Sequence, residues 1–190
     1  MRSIFVGALV CVATACASTG VRNFTPESAA SEMIVALDEG QSASAAGLFG
    51  KVREKDRDRI YPILFNAAED RYSAGEVDRS VEILRFMSPR FPEAVSVREA
   101  LLYGLFLERS ESVEANAALL EEMEQTLEEL REKQSSAPVW YDLVETQVAI
   151  DRGKLDDARE SFDRFLAGWS GTPARLELYV EDLTRYLTTH

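Results

Sequence analysis

Histidine is almost missing from this sequence and cysteine is confined to one short stretch, and each shortage closes a chemistry. The 190 residues hold one histidine, His190, at the last position, and two cysteines, Cys11 and Cys16, both inside "LVCVATACAS". Nucleophilic triads and zinc sites are built from histidine or from several cysteines, and a di-iron site needs Glu-x-x-His pairs. None of these can be assembled here, so the expectation is a protein that is not an enzyme and carries no cofactor and no metal. Carboxylate pairs of the glycosidase type carry no signal, because 33 acidic residues place pairs at every distance by chance. The glycines of "GLFGK", residues 47 to 51, are too closely spaced for a phosphate-binding loop, and no Ser or Thr follows Lys51.

Basic charge is also short. Lys and Arg number 21 against 33 Asp and Glu, a net charge of -12. Nucleic-acid affinity comes mainly from neutralising phosphates with Lys and Arg, and attraction to anionic lipid needs the same residues, so the composition excludes both as partners. The charged run "KVREKDRDR", residues 51 to 59, alternates in sign and pairs Arg53 with Asp56, Lys55 with Asp58 and Asp56 with Arg59 at i, i+3, which predicts a solvated helix face.

A long apolar run is lacking too. The longest, residues 4 to 12 near the start, follows Arg2 and stops at roughly half the 20 residues needed to cross a bilayer. Small residues Ala13, Thr14 and Ala15 then lead to Cys16, the layout of a secretory signal peptide. The small residues before Cys16 resemble the lipobox of bacterial lipoproteins, although Ala13 stands where that family prefers leucine. Cys11 does not fit, because Val10 before it is branched. The resemblance implies removal of residues 1 to 15 and lipidation of Cys16. One acyl chain holds a protein at a membrane only marginally, and two or three hold it firmly. Ala17 is not the aspartate that retains such proteins at the inner membrane, so the implied place is the outer membrane, facing the periplasm. Cleavage at an Ala-x-Ala site, ending at Ala15 or Ala17, gives the alternative of a soluble exported protein.

Residues 16 to 24 then read as the lipidated cysteine and a polar tether, whose eight residues after Cys16 reach about 26 Å when extended. Residues 25 to 190 read as one helical domain. Thr25, Pro26 and Glu27 predict an N-cap, a first-turn proline and a first-turn acid. The helix they open runs to about residue 38, shares Ala30, Met33, Ile34 and Leu37 on one face, and ends at Gly40. A short second helix with Ala43, Ala46, Leu48 and Phe49 closes at Gly50. Beyond it the periodicity is helical throughout, with no alternating strand pattern and no hairpin-turn signal.

Two segments share a layout. From Ile63, Leu64, Ala67 and Ala68 line a first helix, Gly75 sits at a turn, and Val77, Ser80, Leu84 and Met87 line a second helix ended by Pro92. From Val139, Trp140, Leu143, Val144 and Val148 are followed by Gly153, then Leu155, Ala158, Phe162 and Phe165, and finally Pro173. These segments resemble tetratricopeptide repeats, over about 70 residues in all. The resemblance implies an all-α fold of antiparallel helix hairpins stacked as a short right-handed solenoid. Ser80 departs from the usual alanine, and Trp140 lies early relative to Gly153. Between the two, residues 94 to 108 present Val97, Leu101, Leu105 and Phe106. A long acidic helix over residues 112 to 134 follows, with a seam of Val113, Leu120, Met123, Leu127 and Leu130 that packs on its neighbours. Its acids Glu121, Glu122, Glu124, Glu128, Glu129 and Glu132 form a mostly solvated surface. A closing helix over residues 173 to 186 presents Leu176, Tyr179, Val180, Leu183 and Tyr186.

In that family, ligands lie along the concave surface made by the first helices. Carried over by the turn glycine, this implies Phe65, Glu69 and Tyr72 in one repeat and Trp140, Gln147 and Asp151 in the other as groove residues. Aromatic residues at helical spacing are also what a core requires, and both readings stand at this point. The function implied is a lipid-anchored adaptor that binds another protein, as in envelope protein, pilus or secretin assembly. The alternative is a soluble structural subunit of a larger complex with no groove.

Overall fold

The structure is a computed structural model and describes residues 25–111, 116–171 and 177–189. The proposed signal peptide, Cys16 and the tether, with Val113, Pro173, Leu176 and His190, lie outside the described residues. Those described are helical with no strand: α1 Pro26–Asp38, α2 Ser42–Lys51, a 3-10 segment Glu54–Arg59, α3 Tyr61–Ser73, α4 Val77–Met87, α5 Val95–Glu111, α6 Ala117–Lys133, α7 Trp140–Asp151, α8 Leu155–Gly168 and α9 Glu177–Thr189.

Local chemistry sets the helix starts. At α1 the Ser28 backbone N–H donates to Thr25 Oγ1 at 3.1 Å and the Thr25 N–H donates to Ser28 Oγ at 3.2 Å, a reciprocal cap completed by Pro26 in the first turn. At α6 the Asn116 side chain accepts from the Ala118 N–H at 3.0 Å. The described part of the acidic helix therefore starts at Ala117, five residues later than the apolar pattern alone suggests.

Three pairs, α1–α2, α3–α4 and α7–α8, close on the same turn. Gly40, Gly75 and Gly153 have φ of 71°, 79° and 71°, a region where a side chain is costly. In each, the glycine N–H bonds a carbonyl three residues back and the next N–H reaches five back, as in Gly153 to Ile150 at 2.9 Å and Lys154 to Ala149 at 2.8 Å. Each second helix begins two residues after its glycine. So short a link makes the two helices antiparallel neighbours, and each pair packs along its length.

The core keeps step with these turns. Five residues after each glycine stands a small buried side chain, Ala45, Ser80 and Ala158; nine after, Phe49, Leu84 and Phe162; twelve after, Val52, Met87 and Phe165. Small residues one turn into the second helix let the backbones approach, and the larger ones that follow fill the space beyond. The buried residue of this set in α2 is Ala45, whereas Ala43, expected on that face, is exposed. Between α7 and α8 the buried Thr146 and Ser161 hydroxyls hydrogen-bond at 3.0 Å.

Successive pairs then stack, with α4 on α5, α5 on α6, and α6 on α7. Leu120, Met123, Leu127 and Leu130 of α6 are all buried, so that seam does pack on neighbouring helices. At the α4–α5 contact, Gly104 lies against Val81: a Cβ there would stand 2.5 Å from Val81 Cγ2. The closing helix buries Val180, Leu183 and Leu187. Tyr186, expected on that face, is exposed because it lies about 60° of helix turn beyond Leu183, outside the edge of the stripe. Residues 54–59 form a 3-10 helix with no buried residue, a solvated face as expected but with partly different pairing. Arg53 does pair with Asp56, at 2.8 Å, but Arg59 reaches back to Glu27 of α1 at 2.6 Å.

Two glycine substitutions should separate backbone strain from packing. Nothing lies within 4 Å of a Cβ at position 153, so Gly153→Val should destabilise through φ alone, by roughly 1–3 kcal/mol. Gly104→Ala gains helix propensity of up to about 1 kcal/mol yet should also lower the melting temperature, because Val81 is fully buried and overpacking costs roughly 1–3 kcal/mol. Thermal melts followed by circular dichroism check both: an unchanged melt would contradict the strained turn at Gly153 or the close approach at Gly104.

Candidate functional site

The first helices of consecutive pairs, α3, α5 and α7, are joined by a row of aromatic rings. Tyr72 of α3 lies 5.9 Å from Tyr103 of α5, and Tyr103 lies 6.1 Å from Trp140 of α7, edge to face at 88°. Trp140 in turn meets Tyr141 at 4.7 Å. Tyr72 is among the few large apolar side chains left exposed, while Tyr103 and Trp140 are half-buried. Such pairs favour offset or edge contacts and keep their polar tips wet. Glu69, one turn before Tyr72, is exposed. Phe65 is half-buried and stacks on Tyr61 at 5.7 Å.

The other two residues implied by the repeat resemblance point inward. Asp151 accepts two parallel hydrogen bonds from Arg109 of α5, Nε to Oδ2 and Nη2 to Oδ1, both at 2.5 Å, and its side chain is 5 % exposed. Gln147 donates to Asp151 at 3.1 Å and accepts from the Tyr179 hydroxyl of α9. Burial first, and then the Asp151 charge, push the Tyr179 hydroxyl above its usual range. Gln147 and Asp151 are thus ties between α5, α7 and α9, and the exposed part of the predicted set is Glu69, Tyr72 and the edge of Trp140. A similar tie links α1 to α3, where Arg71 forks onto Asp38.

Tyr103 was not among the residues expected. No turn glycine closes the α5–α6 pair within the described residues, so positions could not be carried onto α5 by that anchor. The available signal was that Tyr103 falls between the apolar residues Leu101 and Leu105 without sharing their stripe.

The acidic surface of α6 is less free than its composition suggests. Arg85 of α4 holds Glu122 of α6 through three contacts at 2.8–3.0 Å, reaches Glu82 at 2.8 Å and lies 3.6 Å from Glu108 of α5. Glu129 accepts from Arg98 of α5 at 2.8 Å, and Glu124 from Arg152 at 2.8 Å. The Arg98 side chain is 7 % exposed and also donates to the Pro92 carbonyl at 2.6 Å. Glu122 and Glu129 are therefore bolts that hold α6 in place and Glu124 makes an exposed pair, while Glu121, Glu128 and Glu132 also remain on the surface. The Arg85 cluster holds more acid than base. Burial raises the Glu108 carboxyl above the usual range, and Arg85 opposes that rise.

Among the described residues no helix is long and apolar enough to cross a membrane, and no group of His, Cys, Asp and Glu is placed to hold a metal ion. Comparison with protein-family models, with curated proteins and with solved structures finds no match.

The bolts set a pH dependence. The Arg98 hydrogen bond holds the Glu129 carboxyl below its ordinary value of 4.5. A carboxyl lowered on folding contributes stability above its unfolded value, and that contribution fades as pH falls through the folded value. Glu129→Gln should lower stability at pH 7 by about 1–2 kcal/mol, since it leaves a buried guanidinium short of an anion, and the gap from wild type should narrow as pH falls below 4.5 toward the lowered folded value. Urea titrations at pH 7 and pH 3.5 check this; a pH-independent gap would assign the loss to packing.

Proposed function

We propose that this chain is a lipid-anchored, periplasm-facing adaptor of the bacterial outer membrane, a short right-handed tetratricopeptide-like solenoid that binds another protein on the face built by α3, α5 and α7. The observation that carries the binding reading is the Tyr72–Tyr103–Trp140 row, which crosses three successive first helices. Aromatic side chains bury large areas at little entropic cost, which is why they dominate hot spots. Each first helix is also tied to the next by an aromatic contact or ion pair, so the face is preorganised before a partner arrives. The repeat reading draws support from the turns at Gly40 and Gly75, which are 35 residues apart, close to the 34-residue unit of that family.

The anchor rests on Cys16, which follows Ala15 at the end of a short apolar run. Cys16→Ser should release the protein from the membrane fraction or leave an unprocessed precursor, and should abolish incorporation of labelled palmitate, whereas Cys11→Ser should change neither. Unaltered fractionation and maturation of Cys16→Ser would leave the soluble exported subunit as the better account.

For the face, Tyr72→Ala combined with Glu69→Ala should weaken a captured partner at least about tenfold with helicity unchanged. Glu128→Lys with Glu132→Lys, two acids that remain on the surface of α6, should have little effect on affinity at about 0.15 M salt, where exposed charges are screened. The reverse pattern would move the binding surface to α6 and overturn the groove.

A further inference from the structure

Among the described residues every arginine but two makes an ion pair with a carboxylate. The exceptions, Arg57 and Arg90, lie on the same ring. The Arg57 guanidinium carbon is 5.1 Å from the centre of Phe49, and that of Arg90 is 5.6 Å from Phe49 and 3.7 Å from Phe86. In a chain with 33 acids against 21 bases, two guanidiniums left to one aromatic ring are not short of acids to pair with.

Their hydrogen bonding is incomplete as well. Arg90 Nη1 donates to the Phe86 carbonyl at 2.7 Å, and Arg57 Nε is buried with no hydrogen-bond partner. Guanidinium carries five N–H donors in a planar fork suited to carboxylate, and a buried donor left unmet is costly. Burial alone lowers the Arg90 pKa, as expected for a cation that loses water and gains no anion.

Beside Arg90 opens a groove of about 490 Å³ lined by Tyr61, Phe91, Pro92 and Ala94, with Asp58 and Glu93 among its walls. Tyr61 and Phe91 meet edge to face at 5.3 Å in its apolar part. The two acids in the lining disfavour a dianion such as phosphate. A singly charged group joined to an apolar body fits the lining better. Carboxylate and apolar side chain spring from one carbon only at the end of a polypeptide.

We propose that Arg57 and Arg90 form a carboxylate-binding site for the carboxyl-terminal residue of a peptide with an apolar last side chain, which enters the Tyr61–Phe91–Pro92 groove. The site is separate from the Tyr72–Trp140 row and stands or falls independently of it.

The test titrates purified full-length protein in detergent with N-acetyl-leucyl-phenylalanine and with its carboxyl-terminal amide, by calorimetry. The acid should bind at millimolar concentration or below, and the amide at least about tenfold more weakly, the worth of one charge-assisted hydrogen bond. Arg57→Gln and Arg90→Gln should each weaken the acid by a similar factor, with the circular dichroism spectrum unchanged. Should Arg90→Gln fail to fold, Arg57→Gln carries the same comparison. Equal binding of acid and amide, displacement of the acid by an equal concentration of inorganic phosphate, or no binding of the acid at millimolar concentration would each overturn the proposal.

Discussion

A left-handed glycine followed two residues later by a new helix is the constraint from which the rest of this protein is measured. With the turn fixed, the second helix must run back along the first, and the residue five places on must be small enough to let the two approach. Ala45, Ser80 and Ala158 meet that requirement, and the larger residues nine and twelve places on follow in step. The positions that meet the next pair follow from the same register. Gly104 against Val81 shows the same economy of space between pairs, since it accepts a poor helix former so that α4 and α5 can touch.

Charge does its work between helices rather than at their ends. Asp38–Arg71, Arg109–Asp151, Arg98–Glu129 and Arg85–Glu122 each join residues more than thirty positions apart. Exposed pairs contribute little, but Arg98 and Asp151 are buried enough that removing one partner would strand the other. Much of the basic content is spent as internal fastening, and the acid surplus is left at the surface. The face of α3, α5 and α7 differs from this acidic surface in carrying the Tyr72–Tyr103–Trp140 row.

What was legible in the sequence was the local part. Gly75 and Gly153 marked their turns through an apolar residue two places on and a small one five places on, and Thr25-Pro26 marked the start of α1. Gly40 carries the same spacing with Ala45, Phe49 and Val52, but the run of serines and alanines in α2 blurs its periodicity. Only the repeated turn geometry makes the kinship plain. The start of α6 was misplaced because its apolar seam seemed to continue upstream of the Asn116 cap. The Arg53–Asp56 pair was legible at i, i+3, but partnerships between helices were not: nothing near Asp151 in sequence announces Arg109, 42 positions away. That is why a residue carried over as a groove candidate turned out to be a tie, while Tyr103 of the aromatic row was missed.

The account's central claim is that a protein partner lies on the face of α3, α5 and α7, and site-specific photo-crosslinking in intact cells tests it most directly. A photoreactive phenylalanine analogue would replace Tyr72, Glu128 or Leu178, one at a time; all three positions are solvent-exposed, and they lie on α3, α6 and α9. Irradiation should give a discrete higher-mass adduct from position 72 and none from 128 or 178. A discrete adduct from 128 or 178 with none from 72 would contradict the claim.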